Sequence, residues 1–139
     1  MATFTKFNSF VEALAEKVHN LGADTLKVML TNSAPLATNT QKTDLTDISA
    51  GNGYTAGGTA ATISSSAQTS GTYKLVLADV VFTASGGSIG PFRYAVLYND
   101  TATNKELIGF WDYGSAVTLA SGETFTVDFD ATNGVLQLA

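Results

Sequence analysis

Apolar positions change their spacing three times along the chain. From Ser9 they recur every four residues, with Phe10, Leu14 and Val18 in a stripe and Val11 and Leu21 on its flanks. That period predicts an amphipathic helix over about 9–21. Ser9 and Glu12 have the spacing of a capping box, and Gly22 supplies a stop. A helix this short is marginal alone and must dock on something. After Gly22 the period becomes two: Leu26, Val28 and Leu30 alternate in "TLKVML", as a half-buried strand requires.

The pattern then fades. Residues 32–72 hold nine Thr, six Ser, three Asn and five Gly against only Leu36, Leu45, Ile48, Tyr54 and Ile63 as bulky apolar groups. Short strands fit around 45–48 and 58–63. The rest offers too little apolar area to offset its ordering entropy, so a polar loop or arm over about 31–72 is expected. Its few anchors, Leu36, Leu45, Ile48 and Tyr54, are candidate contacts for a partner, and 31–58 is expected to be an extended docking arm or loop, unsatisfied in one chain alone.

From Tyr73 the alternation returns. "YKLVLADVVF" changes parity near Ala78–Asp79, which predicts a bulge. "FRYAVLY" and "ELIGFWDYG" flank the turn-forming "NDTATNK" and predict a hairpin. "AVTLASGETFTVDFD" predicts a second hairpin turning at Ser121–Gly122, with Phe125, Val127 and Phe129 inward. "NGVLQLA" predicts a last strand. About eight strands joined by tight turns, behind one N-terminal helix, read as a single all-β domain over 1–139: an antiparallel β-sandwich of jelly-roll type. The Phe92–Tyr113 hairpin is apolar on both faces. One parity carries Phe92, Tyr94, Val96, Tyr98, Leu107 and Trp111; the other carries Ala95, Leu97, Ile108 and Phe110. A one-sided sandwich strand alternates with polar residues, so the helix or another chain must cover the second face.

Charge narrows the function. Charged residues make up 14% of the chain, against a usual ~25%, and twelve acids outnumber seven scattered bases. Nucleic acid and anionic membranes require clustered Lys and Arg, so neither is an expected partner. No secretory leader or membrane span is expected, and the absence of Cys excludes disulfides and thiolate chemistry.

Candidate chemistry is sparse. His19, the one histidine, is expected in the last helical turn as an ordinary helix-end residue. Asp128 and Asp130, two apart on one strand, have Cα atoms roughly 6.8 Å apart and read as solvated charges before a glycosidase or calcium pair. "GNGYTAGG" and "SGGSIG" lack the strand–loop–helix setting of a dinucleotide loop and read as turns. No catalytic residue, metal or cofactor is expected. Tyr94, Tyr98, Trp111 and Tyr113 form the most credible ligand platform, of the kind that stacks on a sugar.

"FTKFNSFVEALAEKVHNLGADTLKVMLTN", "ISAGNGYTAGG" and "GFWDYGSAVTLASGETFTVDFDATNGVLQL" together resemble the capsid cement (decoration) proteins of tailed bacteriophages. The similarity runs over nearly the whole chain, and its most specific parts are the Gly-Tyr-Thr loop and the Gly-Glu-Thr-Phe-Thr-Val-Asp-Phe stretch. It implies a non-enzymatic structural virion protein, assembled in the host cytoplasm. It implies a place on the capsid exterior, bound to the major capsid protein, with a homodimer or other homo-oligomer as the attached form. The alternative is a receptor- or carbohydrate-binding module of a phage tail or fibre.

Overall fold

A computed structural model describes residues 2–139. The chain opens with the two-residue strand β1 (Thr5–Lys6), the helix α1 (Ser9–Ala15) and β2 (Leu26–Thr31). A single 3-10 turn (Lys42–Asp44) interrupts the polar segment before β3 (Thr59–Ala61) and β4 (Ile63–Thr69). Then come β5 (Thr72–Leu77), β6 (Val80–Thr83) and β7 (Ile89–Asn99). The chain closes with β8 (Leu107–Leu119), β9 (Thr124–Val127) and β10 (Leu136–Leu138). The class is all-β with one helix, and every strand pairing is antiparallel.

Three sheets share the strands. One has the order β1-β8-β7-β2-β3, one β10-β5-β4, and one pairs β6 with β9. Their inner faces meet in one core, which gives a sandwich-like arrangement. Leu26, Val28 and Leu30 of β2 enter that core together with Leu75, Leu77, Phe82, Ala95 and Leu97. The expected alternation in β2 is therefore present. Its intervening Met29 is buried as well, because the opposite face of the large sheet has a second cluster of Phe7, Met29, Val96, Tyr98 and Leu107.

That second cluster answers the two-faced hairpin. Phe7, just before the helix, and Leu45, just after the 3-10 turn, cover it; Phe7 packs on Phe110 with ring centroids 5.2 Å apart. Cover comes from within the chain, and from loops rather than from α1. The parity expected for the hairpin also needs correction. Register shifts fall between Ile89 and Phe92, between Phe92 and Tyr94, and between Leu97 and Tyr98. Each inserted residue flips the faces that follow it. Phe92 thereby joins Ala95 and Leu97 in the main core. Trp111, opposite Ala95, leans on that core, while Phe110, opposite Val96, serves the second cluster.

Other expectations are revised. The helix ends at Ala15, not near Leu21, because the backbone reaches positive φ at Lys17. Asn8 occupies its N-cap position, and no side-chain capping bond forms there. Phe10 is buried and Leu14 half-buried, but Val18 has left the helix and is exposed. Ala78–Asp79 is no bulge: the chain there leaves the β5 sheet for the β6 sheet, and Asp79 Oδ1 accepts the Phe129 amide at 2.9 Å. Nor does Ser121–Gly122 join a hairpin, since β8 pairs with β7 and β9 with β6.

The polar segment 31–58 is fastened along its length by bonds within the chain. Thr31 Oγ1 donates to the Thr46 carbonyl, and the Ile48 amide donates to Leu30 O at 3.3 Å. Tyr54 is buried, donates its hydroxyl to Asp47 Oδ1 and accepts the Leu30 amide at 3.0 Å. Asp47 Oδ2 takes the Gly57 amide at 2.6 Å, and the Tyr98 hydroxyl donates to Gly57 O. Burial, first, and then the bond to Asp47 push the Tyr54 phenol far above its ordinary range, so it stays a neutral donor. At Gly58, φ is +83° and a Cβ would lie 1.8 Å from Val28 O, so only glycine lets the segment close onto β2. The expected free docking arm is instead a bolted loop.

Candidate functional site: an aromatic cleft between β7, β8 and β9

Where the large sheet meets the two-stranded sheet, a cleft of about 170 Å³ opens. Strand β7 supplies Arg93 and Tyr94, β8 supplies Trp111 and Tyr113, and β9 supplies Phe125, with Asp128 beyond its end. The register shifts of β7 and β8 bring these groups to one place. Only Arg93 separates Phe92 from Tyr94 on β7, whereas β8 spends residues 113–116 between their partners Val117 and Asp112. The β8 excess swings Tyr113 outward, where it is 57% exposed.

The rings stack edge to face. Tyr113 lies 5.4 Å from Phe125, Phe125 lies 4.9 Å from Phe92, and Trp111 lies 5.5 Å from Phe129. Such pairs hold ring orientation beyond what burial alone provides. Phe4 backs Trp111 at 5.2 Å and lies where a Cβ on Gly109 would be, 2.1 Å from its ring carbon Cε2. Gly109 thus makes room for the N-terminal segment, and that segment supports the tryptophan.

At the rim, Arg93 and Asp112 pair in a bidentate geometry, Nε to Oδ1 at 2.8 Å and Nη2 to Oδ2 at 3.0 Å. The bond from Arg93, and then the Gly114 amide, hold the Asp112 carboxyl below the usual range. The guanidinium also lies 5.4 Å from the Tyr94 ring centre. The cleft is an apolar slot with the Arg93–Asp112 ion pair at its lip and the exposed Asp128 carboxylate just past the end of β9. It suits insertion of an apolar side chain or ring.

The structure divides the expected contact residues. Tyr94 and Trp111 are half-buried and line the cleft. Tyr98 and Tyr54 are interior, 1% and 3% exposed, with hydroxyls engaged inside the chain; neither presents a contact surface. Leu45 and Ile48 are half-buried against the two cores, and Leu36 is exposed in the 31–58 loop away from the cleft lining. Tyr113 and Phe125 belong to the site more than Tyr98 does. The two consecutive turn-like residues after Tyr113, Gly114 and Ser115, were the signal for the outward swing.

The other candidates resolve differently. Asp130 is a turn-former: its carboxylate accepts the Asn133 and Thr132 amides at 2.8 Å each, and these bonds, with the Asn133 side chain, hold its carboxyl low. β9 ends before Asp128, so the two acids do not share a strand face. His19 lies outside the helix and is buried, 5% exposed, lining a different cavity. Among the described residues no group of three His, Cys, Asp or Glu is placed to hold a metal, and no helix is long and apolar enough to cross a membrane. Comparison with protein-family models, curated proteins and solved structures gives no match.

Proposed function

We propose that this chain is a structural virion protein that attaches to the outside of a bacteriophage shell and stabilises it, as a sandwich of jelly-roll type. The resemblance of its sequence to cement proteins suggests the reading. The observation that carries it is the aromatic cleft: Tyr113 stands in solvent beside half-buried Trp111 and Tyr94, in a slot whose lining is mostly aromatic and aliphatic. Exposed aromatic rings around a preformed apolar slot are the composition of interface anchors. A protein that binds only the assembled shell shifts its equilibrium away from disassembly, and needs no reaction to do so.

In this reading the major capsid protein inserts an apolar side chain between Tyr113 and Trp111, and attached copies are homodimers or another homo-oligomer on the capsid exterior. Co-sedimentation with intact heads tests it. Wild-type protein should pellet with heads, and Tyr113→Ala should lose most of that binding with an unchanged thermal midpoint. Wild-type protein that stays in the supernatant overturns the proposal.

One observation favours a second reading. A ring face with a free carboxylate nearby, here Tyr113 with Asp128, also suits a sugar. Binding on a glycan array, abolished by Tyr113→Ala and absent with heads, would assign the cleft to a receptor- or carbohydrate-binding module.

A further inference from the structure

Residues 16–25 form a strap between α1 and β2, and the turn 99–106 joins β7 to β8. Strap and turn are tied by the Asp100 amide to Thr25 O and by the Thr25 amide to Thr101 Oγ1, both at 2.8 Å. Between them lies a polar cluster of buried His19 and Asn99 with half-buried Asp24 and Glu106. Asn99 is fully buried, and its orientation is forced. Its Oδ1 accepts the Thr101 and Ala102 amides at 3.0 and 3.2 Å, so its Nδ2 must point the other way. That nitrogen donates to Asp24 Oδ2 at 2.7 Å and faces His19 Nδ1 at 3.0 Å. Asp24 Oδ2 also accepts the Asn20 amide at 2.8 Å.

A donor facing Nδ1 requires Nδ1 to be an acceptor. The neutral ring therefore carries its proton on Nε2, and Nε2 has no partner. Glu106 Oε2, in the same cluster, is likewise buried and without one. A second proton has one place to go, Nδ1, where it would oppose the Asn99 amide hydrogen. Asn99 cannot turn to accept it without abandoning two backbone amides.

We propose that His19 is a proton-operated latch. With one proton the ring closes the strap onto the β7–β8 turn; with two it opens it. The groups facing the ring are known. Phe10 of α1 packs on it at 5.4 Å, Asp24 approaches from the strap and Glu106 from the turn, while Lys17 borders the cavity beside it. Burial is the largest influence and lowers the proton affinity of the ring; Glu106 and then Asp24 oppose it, and the net direction is downward. The unfolded chain therefore binds the proton first, near the ordinary value of ~6.5. Stability from the latch is complete above that pH and is lost as pH falls below it through the folded-state value. The latch is independent of what the aromatic cleft binds.

His19 is the one histidine, so its imidazole signals are unambiguous in NMR. In the full chain the ring should hold its proton on Nε2 at pH 7.5 and titrate below ~6.5. Between about pH 7 and 5, amides of Thr25, Asp100 and Thr101 should lose protection progressively as the ring takes up its second proton. His19→Gln, measured at each pH, should show no such loss. A ring protonated on Nδ1 at pH 7.5, titration at or above ~6.5, or equal pH response in wild type and variant would overturn the latch. If His19→Gln does not fold, the tautomer and titration of the wild-type ring decide.

Discussion

The β7–β8 hairpin and the 31–58 loop are both held firmly, by opposite means. The hairpin buries side chains on two faces: Ala95, Leu97 and Ile108 in one cluster, Val96, Tyr98 and Leu107 in the other. The loop contributes few apolar groups and is fixed by directed bonds, chiefly Tyr54 to Asp47, Asp47 to Gly57 and Thr31 to Thr46. Apolar burial is spread over many contacts, so a lost side chain is felt across the whole core. A polar clamp concentrates its effect in a few atoms, and each buried donor left alone is costly.

The largest effect should come from the hairpin. Leu97→Ala removes a fully buried side chain and should cost ~2–5 kcal/mol in denaturant unfolding, lowering the protection of every sheet together. Next comes Tyr54→Phe, which strands the Leu30 amide and one Asp47 oxygen. We expect ~1–3 kcal/mol, with amides of 31–58 exchanging faster while the hairpin amides stay slow. Uniform acceleration across both regions would erase the distinction. Leu36→Ser, at a side chain 62% exposed, should lie within about 0.5 kcal/mol of wild type. The smallest effect is at Arg93→Ala: its pair with Asp112 stands in solvent, and the melting temperature should not move measurably.

Legibility in the sequence follows the same line. Alternation at Leu26, Val28 and Leu30, and the turn chemistry of 99–105, carry their structural meaning locally, and both the strand and the hairpin are found. The parity of Phe92 and Trp111 was misread because a register shift needs no special residue of its own. The helix was drawn too long because Phe10, Leu14 and Val18 keep helical spacing, while the turn away occurs at Lys17, a residue type that rarely adopts positive φ. The order of 31–58 was invisible because it depends on Asp47 and Tyr54 meeting a backbone amide on β2, which no periodicity encodes. For the site, the aromatic content was legible at Tyr94 and Trp111. The outward swing of Tyr113 had only Gly114 and Ser115 as a signal and the interior place of Tyr98 had none, since both depend on the shifts between β7 and β8.

The N-terminal segment straddles the edge of β8, Phe4 on the Trp111 side and Phe7 on the Phe110 side, with the Thr5–Lys6 backbone paired between them. This has a consequence in time. Phe4 and Phe7 leave the ribosome about a hundred residues before the strand that receives them. Until Gly109–Trp111 is synthesised, two phenylalanines have no seat, and closing so long a span is slow. Phe4 and Phe7 are thus made early and settle late. Their arrival seals the second cluster, so nascent chains halted before residue 107 should expose Met29 and be held by chaperones until the sheet is complete.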